Sequence, residues 1–254
     1  MVNYYFYISE DGRFVVPNND IDLLFSPTES TIPDIAENEE STVKIAGRDG
    51  DIVLDSYYKP LEFKIVAYTE ENLAPEEKTL EVQKITAFLN SLKKTFRSFA
   101  ILQDEKMYSV KYNGQLSVTK FPKSVRFEIP LKSSKAYGTA LFKTTIDGAG
   151  TKISRTVEKT GCIITINGPC NTPTISLNDY QMKYEGSVLT GNKLVINTGN
   201  STITHITSLG VATNAAIYYN HEYPKIQPGE NEIKVLSGIT SASQVTTEWY
   251  DLKL

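Results

Sequence analysis

Apolar residues recur along the first half of this chain at two spacings. Tyr4, Phe6 and Ile8 alternate with polar-leaning neighbours, Asp11-Gly12 supplies a turn, and Phe14-Val15-Val16 returns, which predicts an opening hairpin. Leu61, Phe63, Ile65 and Ala67 fall on one face of a strand at period two, and that face is expected to be core. The period then changes. Val82, Ile85, Leu89, Leu92 and Phe96 step by three, four, three and four, which draws one apolar stripe down a helix roughly 30 Å long. Asn72, Pro75, Glu76 and Glu77 supply a cap, a first-turn proline and acids at its positive end, while Lys93, Lys94 and Arg97 sit at its negative end. A lone amphipathic helix cannot bury its stripe on itself, so it must lie against a sheet or another subunit. Packing on its own sheet is expected for most of the stripe.

After the helix, Met107 to Val118 reads as a hairpin. A three-residue loop, Tyr112-Asn113-Gly114 with Gly114 left-handed, sets Val110 opposite Leu116 and Tyr108 opposite Val118. Val125, Phe127, Ile129 and Leu131 alternate with polar neighbours, and Pro130 predicts that this strand ends or lies at an edge. Between Lys132 and Thr139 the residues become short and polar, which places a domain boundary there: 1–134 and 135–254.

Beyond the boundary no helical period exists. Short strands are predicted at Cys162–Ile166, Thr172–Leu177, Met182–Leu189, Leu194–Asn197, Ile203–Thr207, Ala215–Tyr219, Glu232–Leu236 and Val245–Leu254. Turn signals separate them: Asp147-Gly148, Asn167-Gly168-Pro169, Gly191-Asn192 and Pro228-Gly229-Glu230-Asn231. The expected fold is mainly β: an N-terminal β-sandwich with one α-helix and a β-hairpin, then a C-terminal β-sandwich of jelly-roll or lectin type.

Composition narrows the function. The chain has 254 residues with a net charge of -4, and its Lys and Arg are scattered, so it lacks the basic stripe that nucleic-acid recognition needs. Ser26 to Ser41 holds five acids (Glu29, Asp34, Glu37, Glu39 and Glu40) and no base, which predicts a solvated loop or an arm that orders against a partner. No apolar run is long enough for a membrane span, and the first residues lack a leader pattern, so folding in a cytoplasm and no membrane insertion are expected. Cys162 and Cys170 are too few for a disulfide framework and read as small packing thiols.

Catalytic chemistry finds little support. Only His205 and His221 are present, neither at metal-ligand spacing, and no nucleophile elbow or phosphate loop occurs, so no catalytic, metal or cofactor residue is assigned. Asp49-Gly50-Asp51 is followed by Ile52-Val53-Leu54, which supplies none of the oxygens an EF-hand needs, and so reads as a turn. A pair of glycosidase carboxylates has no positive support. Tyr218, Tyr219, Tyr223 and the single tryptophan, Trp249, could form an aromatic platform for a sugar, or could be core and edge packing. Periodicity along the last strand does not say which face is wet.

The order of these parts is more specific than any one of them. An opening hairpin, the turn Gly47-Arg48-Asp49-Gly50-Asp51, the Leu61 to Tyr68 strand, one helix and a tyrosine-rich hairpin precede a separate sandwich carrying Tyr223-Pro224-Lys225-Ile226-Gln227-Pro228-Gly229-Glu230-Asn231. This resembles the distal tail protein (Dit) family of siphophages that infect Gram-positive bacteria. The resemblance covers nearly the whole chain and implies a structural role with no cofactor. It implies a homohexameric ring at the tail tip, single or stacked, assembled in the host cytoplasm and carried in the virion. The N-terminal domain would form the ring, and a galectin-like or carbohydrate-module-like C-terminal domain would project outward. The ring would join the tail tube protein to the tail-associated tip protein or fibre and leave a channel through which genome DNA passes. Within that resemblance, Gly47, Arg48, Asp49, Gly50 and Asp51 and one flank of the helix are assigned to the ring or partner patches, and surplus acid to the channel wall. The alternative is a carbohydrate-binding receptor-adhesion protein acting through its C-terminal sandwich. A cell-wall hydrolase is a third, weaker option.

Overall fold

The computed structural model describes residues 4–33, 37–44, 51–219 and 222–253. The chain divides into two compact units, Met1–Leu141 and Phe142–Lys253. The division falls after the 134/135 boundary placed from sequence because Gly138–Ala140 still pairs with Lys106–Tyr112, Thr139 facing Met107. Leu141 N then donates to Glu105 O.

The first unit contains β1 (Phe6–Ile8), β2 (Arg13–Val16), β3 (Ile21–Phe25), β4 (Asn38–Lys44), β5 (Asp51–Tyr58), β6 (Glu62–Tyr68), α1 (Pro75–Leu92), β7 (Arg97–Ile101), β8 (Lys106–Tyr112), β9 (Ser117–Lys120), β10 (Val125–Ser133) and β11 (Gly138–Ala140). The opening hairpin forms as expected, with Tyr7 opposite Val15 and Gly12 at a φ of 76° in the turn. Strands run β8-β7-β1-β2-β3-β6-β10, and β8 also pairs with β10, so the path closes on itself. A barrel-like sheet therefore stands where a sandwich was expected.

That closure overturns the hairpin expected over Met107 to Val118. β8 pairs with β7 and β10, and β9 with β10, with Val118 opposite Phe127. The turn chemistry was local and correct, since Gly114 has a φ of 123°, but Asn113 N donates to Pro130 O and carries the chain across to β10. Tyr108 and Val110 are needed inside the barrel, where they are 2% and 0% exposed. Pro130 is not at a strand end. Its neighbour Lys64 on β6 spends both main-chain groups on Thr31, so no donor is demanded of the proline on that side.

Inward residues of the barrel strands form one apolar cluster, and Leu61, Phe63, Ile65 and Ala67 belong to it as their spacing predicted. Helix α1 adds Ile85, Phe88, Leu89 and Leu92 to the same cluster. The helix ends before Phe96, which is 41% exposed beneath Lys111, and Arg97 already belongs to β7. Its N-cap is Ala74 rather than Asn72; the Glu77 carboxylate accepts from Ala74 N at 2.7 Å.

In the second unit β12 (Thr144–Asp147), β13 (Gly150–Ser154), β14 (Cys162–Asn167), β15 (Cys170–Leu177), β16 (Tyr180–Lys183), β17 (Ser187–Val188), β18 (Lys193–Asn197), β19 (Thr202–Ile206), β20 (Ala212–Asn214), β21 (Gly229–Ile239) and β22 (Val245–Trp249) build two antiparallel sheets. One runs β12-β22-β14-β18-β19-β20, the other β13-β21-β15-β16 with β17 beside β15. Their inward residues, among them Ile164, Ile196, Val245 and Trp249 from the first and Ile175, Leu177 and Ile233 from the second, make a single apolar cluster. Two strand expectations change. Ala215–Tyr219 is mostly a 3-10 turn over Ala216–Tyr218, because Ala215 and Tyr219 are buried while Ile217 points outward. The last strand stops at Trp249 and resumes only at Leu252–Lys253.

Candidate functional site

Of the segment assigned to a ring contact, Gly47 to Gly50 lies outside the described residues, and Asp51 opens β5 opposite Lys44. β4 and β5 form a two-stranded ribbon that pairs with no other strand among the described residues. The acidic stretch expected as a loop or arm thus ends in a strand. A two-stranded ribbon is marginal alone in water.

The chain leading into the ribbon is tied down by polar contacts. Thr31 and Lys64 exchange main-chain hydrogen bonds, and Lys59 lies 3.6 Å from both Glu37 and Glu39. Glu29 accepts from the Tyr68 hydroxyl at 2.5 Å and from Arg126 Nε at 2.9 Å, and Arg126 also pairs with Glu128. The Tyr68 hydroxyl and then the Arg126 guanidinium hold the Glu29 carboxyl below its ordinary value, and the same hydrogen bond holds the Tyr68 phenol above its own. Sequence reading missed this cluster because its members are far apart along the chain.

A polar groove of about 290 Å³ lies where β2, β3 and α1 meet. Arg13 bonds Asp22 at 2.5 Å and Glu70 at 3.0 Å, and Lys84 bonds Glu81 at 3.0 Å and Asp20 at 3.4 Å. Each cation there has carboxylate partners, so the groove is a solvated ion-pair network rather than an anion site.

The four aromatic residues considered for a sugar platform do not make one flat face. Trp249 is 2% exposed, and its indole N–H donates to Asp251 Oδ1 at 2.9 Å and Ser154 Oγ at 3.2 Å. Tyr219 is 8% exposed and gives its hydroxyl to Glu222 O at 2.7 Å; burial pushes its phenol up. Tyr223 packs against Tyr219 with ring centroids 5.1 Å apart. Only Tyr218 is open, at 46%, and its ring meets Tyr184 edge-on at 5.8 Å. Because Trp249 is the single tryptophan, native fluorescence is expected to be shielded from iodide. Trp249→Phe is expected to cost about 1–3 kcal/mol by taking a donor from a buried carboxylate. Strong iodide quenching of the native protein would show that the indole is not buried.

The thiols are packing groups. Burial pushes Cys162 up to about 11 and raises Cys170 as well, so neither is a ready nucleophile. His205 contacts the Asn192 amide at 3.4 Å, and His221 lies outside the described residues. Among the described residues no group of three His, Cys, Asp or Glu is placed to hold a metal ion, and no helix is long and apolar enough to cross a membrane.

Neither a protein-family model nor a curated protein matches the chain. Solved structures do. The Dit protein of phage SPP1, described as a paradigm of the hub adsorption apparatus in phages infecting Gram-positive bacteria, aligns with a TM-score of 0.66 at 13% identity, over 91% of this chain and 94% of that one. Chains of the phage P2 baseplate in its activated conformation align more loosely. The calcium form gives a TM-score of 0.48 at 8% identity over 97% and 95% of the two chains, and the strontium form 0.46 at 9% over 95% and 94%. With an alignment that spans 91% of its residues, this chain has the fold of SPP1 Dit.

Proposed function

We propose that the chain is a structural protein of a phage tail tip. In this reading it forms a hexameric hub ring that joins the tail tube protein to the tail-associated tip protein or fibre and leaves a channel for DNA. The observation that carries the reading is the extent of the likeness to SPP1 Dit, which spans 91% of this chain. The first unit would form the ring. The second unit would project from it as a galectin-like, jelly-roll sandwich, a description that the two antiparallel sheets around one core support.

A closed ring needs two different patches on each subunit. The β4–β5 ribbon supplies one candidate, since its outer edges pair with no other strand among the described residues. The outer flank of α1 supplies another: Leu80, Gln83, Ala87 and Asn90 follow one another along the helix, all exposed and uncharged. Of the four platform residues of the carbohydrate-binding alternative, Tyr218 is exposed and Tyr223 half-buried, while Tyr219 and Trp249 are buried.

Light scattering on a sizing column is the test. The 28.3 kDa chain is expected to elute at about 170 kDa, or twice that as stacked rings, with annular particles in negative stain. A particle of two or three subunits without a central opening would contradict the ring.

A further inference from the structure

We propose that the outer edge of β20 is a docking site for an extended, uncharged segment of another protein, which joins the second unit's larger sheet by main-chain pairing.

The open edge comes from the ladder. Among the described residues, β20 is the terminal strand of its sheet and pairs only with β19. Thr207 N donates to Val211 O at 2.9 Å and Ala215 N to Ile203 O at 3.0 Å. With Thr213 opposite His205, hydrogen-bonded pairs alternate with open ones, so the N–H and C=O of Ala212 and Asn214 face away from the sheet. All three side chains of β20 are exposed.

Charge distinguishes this edge from those of β12, β13 and β16. Terminal strands are commonly protected from unwanted pairing by a charged residue. β12 carries Asp147, β13 carries Lys152 and β16 carries Lys183. β20 carries no charge, and no Asp, Glu, Lys or Arg occurs between Lys193 and Glu222 in a chain that is 22% charged. Loss of charge is the compositional mark of an interface core.

The flanks indicate the occupant. Leu209, 89% exposed, and Val211, 56%, precede the strand, and Ile217, 85%, follows it. A recess of about 230 Å³ beside the strand is lined by uncharged residues, among them Thr202, Thr204, Thr213 and Asn214. Free main-chain groups bordered by aliphatic side chains suit a strand with apolar residues. A sugar would need converging polar side chains and an aromatic face, and a charged strand would find no counter-charge. Nothing in this site depends on the tail-tip role.

The probe is a fluorescent peptide with the sequence of Asn200–Ser208, the segment that already pairs with β20 on its inner side, added to the full chain. Saturable binding by anisotropy is expected, with slowed hydrogen exchange at Ala212 and Asn214. Ala212→Pro removes an outward N–H without removing a ladder bond and is expected to weaken binding at least tenfold. Leu209→Ser combined with Ile217→Ser leaves the strand itself unchanged and is expected to weaken it to a similar degree. Absence of binding at millimolar peptide, or equal binding by wild type and both variants, overturns the proposal. Self-association of the full chain that both variants abolish would also overturn it, because the occupant would then be a second copy.

Discussion

Phe88→Ala is expected to cost the first unit about 3–5 kcal/mol, the range for removing a buried phenylalanine ring from a close-packed core. Phe88 is fully buried on α1, and its ring lies 5.1 Å from Phe6, 6.2 Å from Phe14 and 6.3 Å from Tyr5. Phe6 in turn stacks on Phe99 at 4.8 Å, and Phe99 meets Phe63 at 5.9 Å. One side chain thus joins the helix to strands β1 and β2, and through Phe6 to β6 and β7. Its removal leaves a cavity that the helix and strands β1 and β2 would have to collapse together to fill, which a closed sheet resists. The loss is read from the urea midpoint and from faster exchange of the barrel amides. Leu80→Ala, at a site 51% exposed on the same helix, is expected to stay within about 0.5 kcal/mol. If the two substitutions cost the same, the helix does not seat its stripe in the barrel.

Much of the core was legible in the sequence because burial on a strand has period two. Leu61 to Ala67 and Val125 to Leu131 were placed on the right faces by alternation alone, and the structure buries all eight. The helical stripe was only partly legible. Val82 and Phe96 extended a tidy period, yet Val82 is half-buried and Phe96 lies beyond the helix, whereas Phe88, three residues after Ile85, completes the buried face. Pairing was the least legible part. The glycine turn after Tyr112 is real, but which strand lies opposite β8 is decided by closure of the whole barrel, a long-range condition that local turn chemistry does not carry. The same limit applies to the candidate sites. Trp249 could not be placed inside or outside by spacing, and a donor bond to a buried carboxylate settles it inward. The charge-free run between Lys193 and Glu222 can be read from the sequence, whereas its position at an open edge cannot.

Asn231→Asp is expected to cost the second unit about 3–5 kcal/mol at neutral pH and much less in acid. Asn231 is fully buried at the start of β21, just after Pro228, where Gly229 has a φ of 91°. Its Nδ2 donates to Gln227 O at 2.8 Å and Gly229 O at 3.0 Å, while its Oδ1 accepts from Gln227 N at 2.8 Å and Asn178 Nδ2 at 3.2 Å. Asn178 in turn pairs with Glu232, its Oδ1 accepting from Glu232 N at 2.8 Å, so the turn, β21 and the end of β15 share one network. Aspartate has the same shape but replaces both donors by an oxygen facing two carbonyls. The folded state therefore disfavours the carboxylate and raises the pKa above its unfolded value of about 3.9. A raised folded pKa means that the protonated variant has its full stability below the unfolded value and loses it as pH rises through the folded one. The difference in unfolding free energy between variant and wild type, measured in urea from pH 4 to pH 8, is expected to widen with pH. Asn231→Ala, which lacks a titratable group, should show a large difference that stays flat. An Asn231→Asp difference that also stays flat, or that remains below about 1 kcal/mol throughout, would mean that water reaches this turn and that its side chain does not pin β21.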